Sequence, residues 1–333
     1  MTLKSRLILS PLCLVMIIQL SVSAQLRYDT LVYNRDSTKT IKMEAYPQKD
    51  GTTFIYRKPK FFSFVTQVPR NFQGMAKQSF TKKSLKTWGI IAGSTLALLA
   101  VDQKISDGVQ QASAYVHLSS DTPYETLVSF QMGSKDVPVY QLPQNLNTAF
   151  YSVGEGFTSV AIAGGLYVFG KIKRDYRALQ TASQIIQVQL AVGLLTQTIK
   201  RMTGRESPFV STGPGGVWKP FQGFSEYTKH TPHYDAFPSG HMTTMMATVT
   251  VLADNYPSKK WIRPFGYSLM GLVGLAMINN GVHWASDYPL ALGIGYVSGK
   301  AAVRMNRIVK QSGTKRDVEV RRLNLKKKLH SFL

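Results

Sequence analysis

After Lys86 the chain changes texture, and that change limits the folds open to it. Six apolar segments follow: Trp88 to Val101, Ala149 to Gly170, Ala182 to Ile199, His241 to Ala253, Ile262 to Ile278 and Tyr288 to Val303. Gly, Ala and Ser recur within them, as in IAGSTLALLA and LALGIGYVSGKAA. Small residues let neighbouring helices approach closely, in membranes above all. The pattern predicts an all-α fold, a six-helix bundle with a polar N-terminal arm and a basic, helical C-terminal tail. A spanning helix needs about 20 mostly apolar residues. Several segments are shorter, and one carries Glu155, so a buried helical core in a soluble protein is the alternative.

Charge favours the membrane. The 333 residues carry a formal net charge of +22 at pH 7, which calls for an anionic partner. There is no nucleic-acid module, neither a zinc finger nor a basic patch interleaved with stacking aromatics. The basic residues sit instead beside the apolar segments. Lys82, Lys83 and Lys86 precede the first, Lys171, Lys173, Arg174 and Arg177 follow the second, and Lys259, Lys260 and Arg263 follow the fourth. If the segments alternate across a bilayer, all these clusters fall on one side, the positive-inside pattern. The basic tail from Lys300 onward (Arg304, Arg307, Lys310, Arg321, Arg322 and Lys326 to Lys328) is expected to meet anionic headgroups or solvent.

The N-terminus carries Lys4 and Arg6, an apolar run from Leu7 to Leu20, and SVSA ending at Ala24. That is the make-up of a signal peptide or an N-terminal anchor over 1–24. The rest divides into a polar arm (25–85), the helical domain (86–306) and the tail (307–333). Cleavage of the leader would leave the arm outside and run the first segment inward, inverting the charge pattern. The sole cysteine, Cys13, lies in this leader, so the mature chain is expected to have neither disulfides nor a thiolate nucleophile.

Three polar blocks stand at segment ends: KRMTGRESP, FPSGH and NNGVHWASD. His283 and Asp287 are four apart and share a helix face. A carboxylate on one imidazole nitrogen fixes the tautomer and frees the other. His283 is thus a candidate nucleophile with Asp287 as its orienter. His241 suits a general acid for the leaving oxygen. Ser239 and the Gly240 amide can donate to an anion at a helix start, and Lys200 adds a cation. His230, His233, Asp235 and His241 are a weak candidate metal set; the expectation is no metal.

The ordered trio resembles the type 2 phosphatidic acid phosphatase and vanadium haloperoxidase superfamily over roughly residues 85 to 305. That pattern is K-x6-R-P, then P-S-G-H, then S-R-x5-H-x3-D. The resemblance implies a phosphohistidine on His283, proton donation by His241, orientation by Asp287, phosphate binding by Lys200, Ser239 and Gly240, and no metal or other cofactor. Two positions depart from it. Ser207 stands where the family has Arg before Pro208, and Ala276–Met277 stand where it has Ser-Arg. Both bidentate clamps on the phosphoryl oxygens are absent, and losing one comparable donor costs about two to three orders of magnitude in rate. Arg205, two residues from Ser207, or a cation of the following loop (Lys219, Lys229, His230 or His233) is expected to fill part of the missing positions, and Arg201 follows Lys200. The implied function is a phosphatase acting on a phosphomonoester or diphosphate, with a lipid-linked or small phosphoester substrate. Its expected place is the cell envelope, in the inner membrane with an outward-facing site. Membrane lipids would meet the apolar helices and the tail. The alternatives are a pseudo-phosphatase that binds lipid phosphate and a vanadate-dependent haloperoxidase.

Overall fold

The computed structural model describes residues 28–33, 40–133, 135–311 and 321–322. The leader with Cys13, and Lys326 to Lys328 of the tail, lie outside them. The chain is mostly helical, but it is not all-α. It opens with β1 (Tyr28–Tyr33), β2 (Thr40–Pro47) and β3 (Thr52–Arg57), an antiparallel meander. The β2–β3 turn uses Gly51 at φ 79°, and Asp50 Oδ1 accepts from Thr52 N at 3.0 Å. Only glycine adopts that φ without steric cost.

The arm departs from a polar connection because β2 is covered on both faces. Met43, Ala45 and Ile55 cluster on one side. On the other, Tyr46 and Tyr56 meet edge to face at 5.6 Å, and Tyr56 Oη donates to Asn255 Oδ1 at 3.0 Å. Arg177 lies 4.2 Å from the Tyr46 ring and 4.3 Å from the Tyr256 ring. These contacts dock the sheet onto one end of the helices.

The helices follow in chain order. A short α1 (Ser63–Thr66) leads to α2 (Val68–Ser79), α3 (Lys82–Leu99) and α4 (Asp102–Tyr115). Then come a hairpin, β4 (Tyr124–Met132) with β5 (Lys135–Pro143), and α5 (Leu146–Gly154) and α6 (Gly156–Ile172). The stretch between the first two apolar segments is thus a helix and a hairpin. After α6 come α7 (Tyr176–Thr203), the short α8 (Phe224–Lys229), α9 (Gly240–Asn255), α10 (Ile262–Asn279) and α11 (Tyr288–Asn306).

The expected helical tail is corrected as well. The helix ends at Asn306, and β6 (Ile308–Gln311) pairs antiparallel with β3. With β7 (Arg321–Arg322) on β1, the sheet order is β6-β3-β2-β1-β7. The β-branched Ile308–Val309 pair suits a strand, and the Arg307 guanidinium lies 3.7 Å from the Phe54 ring. Both ends of the helical part therefore feed one sheet.

α7, α9 and α11 form the main core, with Ile185, Val188, Val251 and Ala301 buried together. Their close approach depends on glycines one turn apart on α11. A β-carbon on Gly295 would lie 2.4 Å from Thr243 O, and one on Gly299 would lie 2.7 Å from Thr250 Cβ. Among the described residues, α7 alone is long and apolar enough to cross a membrane. The bent pairs α3–α4 (68°) and α5–α6 (64°) would raise that number to three if each is one span.

Candidate active site

The site forms where α7 and α10 end and α9 and α11 begin. α7 starts on Asp175, whose side chain accepts from Ala178 N, and stops at Gly204 in the left-handed region at φ 57°. A β-carbon there would meet Lys219 O at 1.8 Å, so no other residue lets the chain turn back at this point. Lys200, in the last turn, is buried, and its Nζ donates to Asp235 Oδ2 at 2.8 Å. Tyr227 Oη also donates to Asp235, at Oδ1.

Ser239 caps α9, its Oγ accepting from Met242 N at 3.4 Å. The same Oγ donates to Met277 Sδ at 3.9 Å, so Met277 packs against the serine from the position of a family arginine. A β-carbon on Gly240 would lie 3.9 Å from Lys200 Nζ, which places the first amides of α9 beside that cation. His241 faces the ring of Tyr151 at 4.8 Å and that of His283 at 6.0 Å.

His283 is buried, with Nδ1 3.3 Å from Asp287 Oδ2. The same oxygen accepts from Trp284 N at 2.8 Å, and Asp287 Oδ1 accepts from Arg205 Nη1 at 2.6 Å. With Asp287 accepting from an Nδ1–H, His283 Nε2 is left with its lone pair. Asp287 also holds the cradle by its backbone, since Ser239 N donates to Asp287 O at 3.1 Å.

Arg205 does not stand in for a missing clamp. Its side chain is 0% exposed, and each guanidinium nitrogen has a partner inside the protein. Nε donates to Gly215 O at 3.2 Å, and Nη1 to Ser286 Oγ and Asp287 Oδ1, each at 2.6 Å. Nη2 donates to Asp102 Oδ2 at 2.7 Å and Gly215 O at 2.6 Å. The cation is thus turned towards the back of Asp287, away from the phosphate cradle. Asp102, the first residue of α4, also accepts from Ser286 N at 3.0 Å and from Ser286 Oγ. Sequence reasoning did not find Asp102, because its partners are 103 and 184 residues away.

Lys219, His233 and Arg201 are also engaged. Lys219 Nζ donates to Glu206 Oε1 at 2.9 Å, and His233 Nδ1 lies 3.5 Å from the same oxygen. Burial alone would raise the Glu206 pKa. Hydrogen bonds from Thr212 N, Lys219 Nζ and Val217 N outweigh it and hold the carboxyl at about 2. Arg201 lies 3.5 Å from the centre of the Tyr227 ring. His230 packs edge-on to His233 at 6.2 Å. Among the described residues no three His, Cys, Asp or Glu side chains converge as a metal-binding group.

The loop that leaves α7 carries exposed apolar side chains. Trp218 packs on Phe237 at 5.3 Å, directly before Pro238. Phe221 is 75% and Phe224 74% exposed, and Met202 and Phe209 are exposed as well.

The helical part of the chain has relatives among known proteins. Residues 182–310 match the family model described as PAP2 superfamily. It is also similar to the lipid A 1-phosphatase of Porphyromonas gingivalis, 33% identical over 67 residues. That match spans 20% of this chain and 15% of the relative. Among solved structures it resembles a transmembrane PAP2 type phosphatidylglycerolphosphate phosphatase from Bacillus subtilis at 13% identity. The TM-score is 0.29, with 73% of this chain and 94% of that one covered.

Proposed function

We propose that the chain is a membrane-embedded phosphatase that hydrolyses a lipid-linked phosphomonoester or diphosphate through a phosphohistidine on His283. The observation that carries this reading is the His283–Asp287 pair facing His241, with Lys200 beside Gly240. Nε2 of His283 attacks phosphorus in line, and the bond from phosphorus to the ester oxygen breaks. His241 gives its proton to that oxygen. Water then attacks the phosphohistidine and gives a proton to His241, and the nitrogen–phosphorus bond breaks, releasing inorganic phosphate and restoring both histidines. Exposed Phe221 and Phe224 at the mouth support a substrate held by its lipid part, since aromatic side chains settle at a membrane interface.

Exposed apolar side chains along the helices support embedding, among them Ile90, Leu96, Val168, Leu194 and Leu275. The basic clusters at Lys82–Lys83, Lys171 and Lys259–Lys260 fall at helix ends away from His283. That arrangement supports a cell-envelope protein with the site outward. The test is phosphate release from lipid phosphates and soluble monoesters by wild type and His283→Ala. Release is expected from lipid substrates and lost in the variant; equal turnover in the two would overturn the mechanism. A second reading, a pseudo-phosphatase that binds without cleaving, draws on Met277 and Ser207 in the arginine positions. The absence of release from every lipid phosphate would favour it.

A further inference from the structure

We propose a second lipid site, specific for an anionic phospholipid, in the groove between the Lys58–Phe64 arm and the faces of α6 and α7. The cavity is about 520 Å³, within the roughly 300–1,000 Å³ of ligand pockets. Phe64, Val160, Leu179 and Ile186 form its apolar walls. The arm is tied to α7 by the hydroxyls of Ser63 and Ser183, 2.9 Å apart. Gly164 lies in the lining, and a β-carbon there would meet nothing within 4 Å. The groove is therefore open to a chain-like apolar group.

The charges select the headgroup. Lys58, Lys60 and Lys171 line the groove, and among the described residues no acidic one does. Lys171 stands over the Tyr167 ring at 5.2 Å, which keeps its ammonium at the rim. Phe61 and Phe62 pack edge to face at 4.8 Å beside these lysines and are 69% and 64% exposed, as membrane-interface anchors are. An acyl chain in the apolar part thus brings a lipid phosphate to three ammonium groups. The other occupant this chain offers is its own Leu7–Leu20 run. Lys4 and Arg6 flank that run and would meet a rim of like charge, so the lipid is favoured.

This is not the catalytic cradle. Leu179 and Lys200 both belong to α7, and their separation along it is about 30 Å at 1.5 Å per residue. The Leu179 end of the groove, with Lys171 beside it in the lining, therefore sits at the basic end of the helices, away from Lys200. Resting on the membrane reading above but not on turnover, it holds a structural or regulatory lipid.

The experiment follows the thermal midpoint of the full-length His283→Ala chain in neutral detergent, with added dioleoyl phosphatidylglycerol or dioleoyl phosphatidylcholine. Phosphatidylglycerol is expected to raise the midpoint more than phosphatidylcholine. That extra rise should vanish in Gly164→Trp and in the Lys58→Gln/Lys60→Gln/Lys171→Gln variant, with their lipid-free midpoints kept. Equal rises for the two lipids overturn the proposal. So does an extra rise that survives in both groove variants but is lost in Lys200→Gln, which would place the lipid in the cradle. No rise with either lipid, with Gly164→Trp lowering the lipid-free midpoint, would mean that the chain itself fills the groove.

Discussion

Replacing Arg205 separates a phosphate clamp from an internal support. The Arg205, Asp102 and Asp287 side chains are each 0% exposed. Arg205→Ala would leave two buried carboxylates without their cation, and removing one partner of a buried pair costs about 3–5 kcal/mol. At roughly 2–4 °C per kcal/mol for a large domain, the thermal midpoint should fall by on the order of 10 °C. Phosphate release should fall with it, because Asp287 loses one of the donors that fix its carboxylate behind His283. Arg205→Lys keeps the charge but not the planar fork that reaches Asp102, Ser286, Asp287 and Gly215 together. It should fall between wild type and Arg205→Ala in both readouts. The assay is circular dichroism melting in detergent beside phosphate release at saturating substrate. An Arg205→Ala chain with an unchanged midpoint and a raised KM would refute this reasoning and return Arg205 to the substrate.

Glu206 makes stability depend on pH in a defined direction. Its folded pKa is lowered from 4.5 to about 2, so its contribution is complete above the unfolded value and is lost as pH falls from about 4.5 to 2. Glu206→Gln should lower the midpoint at pH 7 and flatten the loss across that window; parallel melting curves would contradict it. Ser207→Arg with Met277→Arg restores the family pattern. It should raise phosphate release if clamps limit the rate, as measured by kcat on a lipid phosphate; an unchanged kcat would show that they do not.

The parts of the site that were legible in the sequence are those fixed by local spacing. Ser239, Gly240 and His241 open one helix, and His283 and Asp287 are four apart, so each set is brought together by a single local turn. Arg205 was misread because its partners are distant. Asp102 comes from α4 and Gly215 from the following loop, and only the fold brings them to the guanidinium. Glu206 had no signal either, since its partners Thr212, Val217 and Lys219 converge through a loop without periodicity. The sheet was hidden for another reason. Alternation marks a strand with one wet face, whereas Met43, Glu44, Ala45 and Tyr46 are all buried. β6, which completes the sheet beside β3, arrives from beyond residue 306.

The balance of charge at the cradle decides what the missing arginines mean. Lys200 faces Asp235, Arg205 faces Asp102 and Asp287, and Lys219 faces Glu206. Arg205 cannot be recruited without stranding two buried carboxylates. Lys200 can, because Asp235 is 28% exposed at its side chain and keeps the Tyr227 hydroxyl as a second partner. A phosphate dianion at the distance of the Asp235 carboxylate would attract the ammonium about twice as strongly, by Coulomb's law. Substrate would therefore take Lys200 from Asp235, while Tyr227 and solvent keep that carboxylate satisfied. The cradle then offers an exchangeable cation and the first amides of α9 in place of a fixed pair of guanidinium groups.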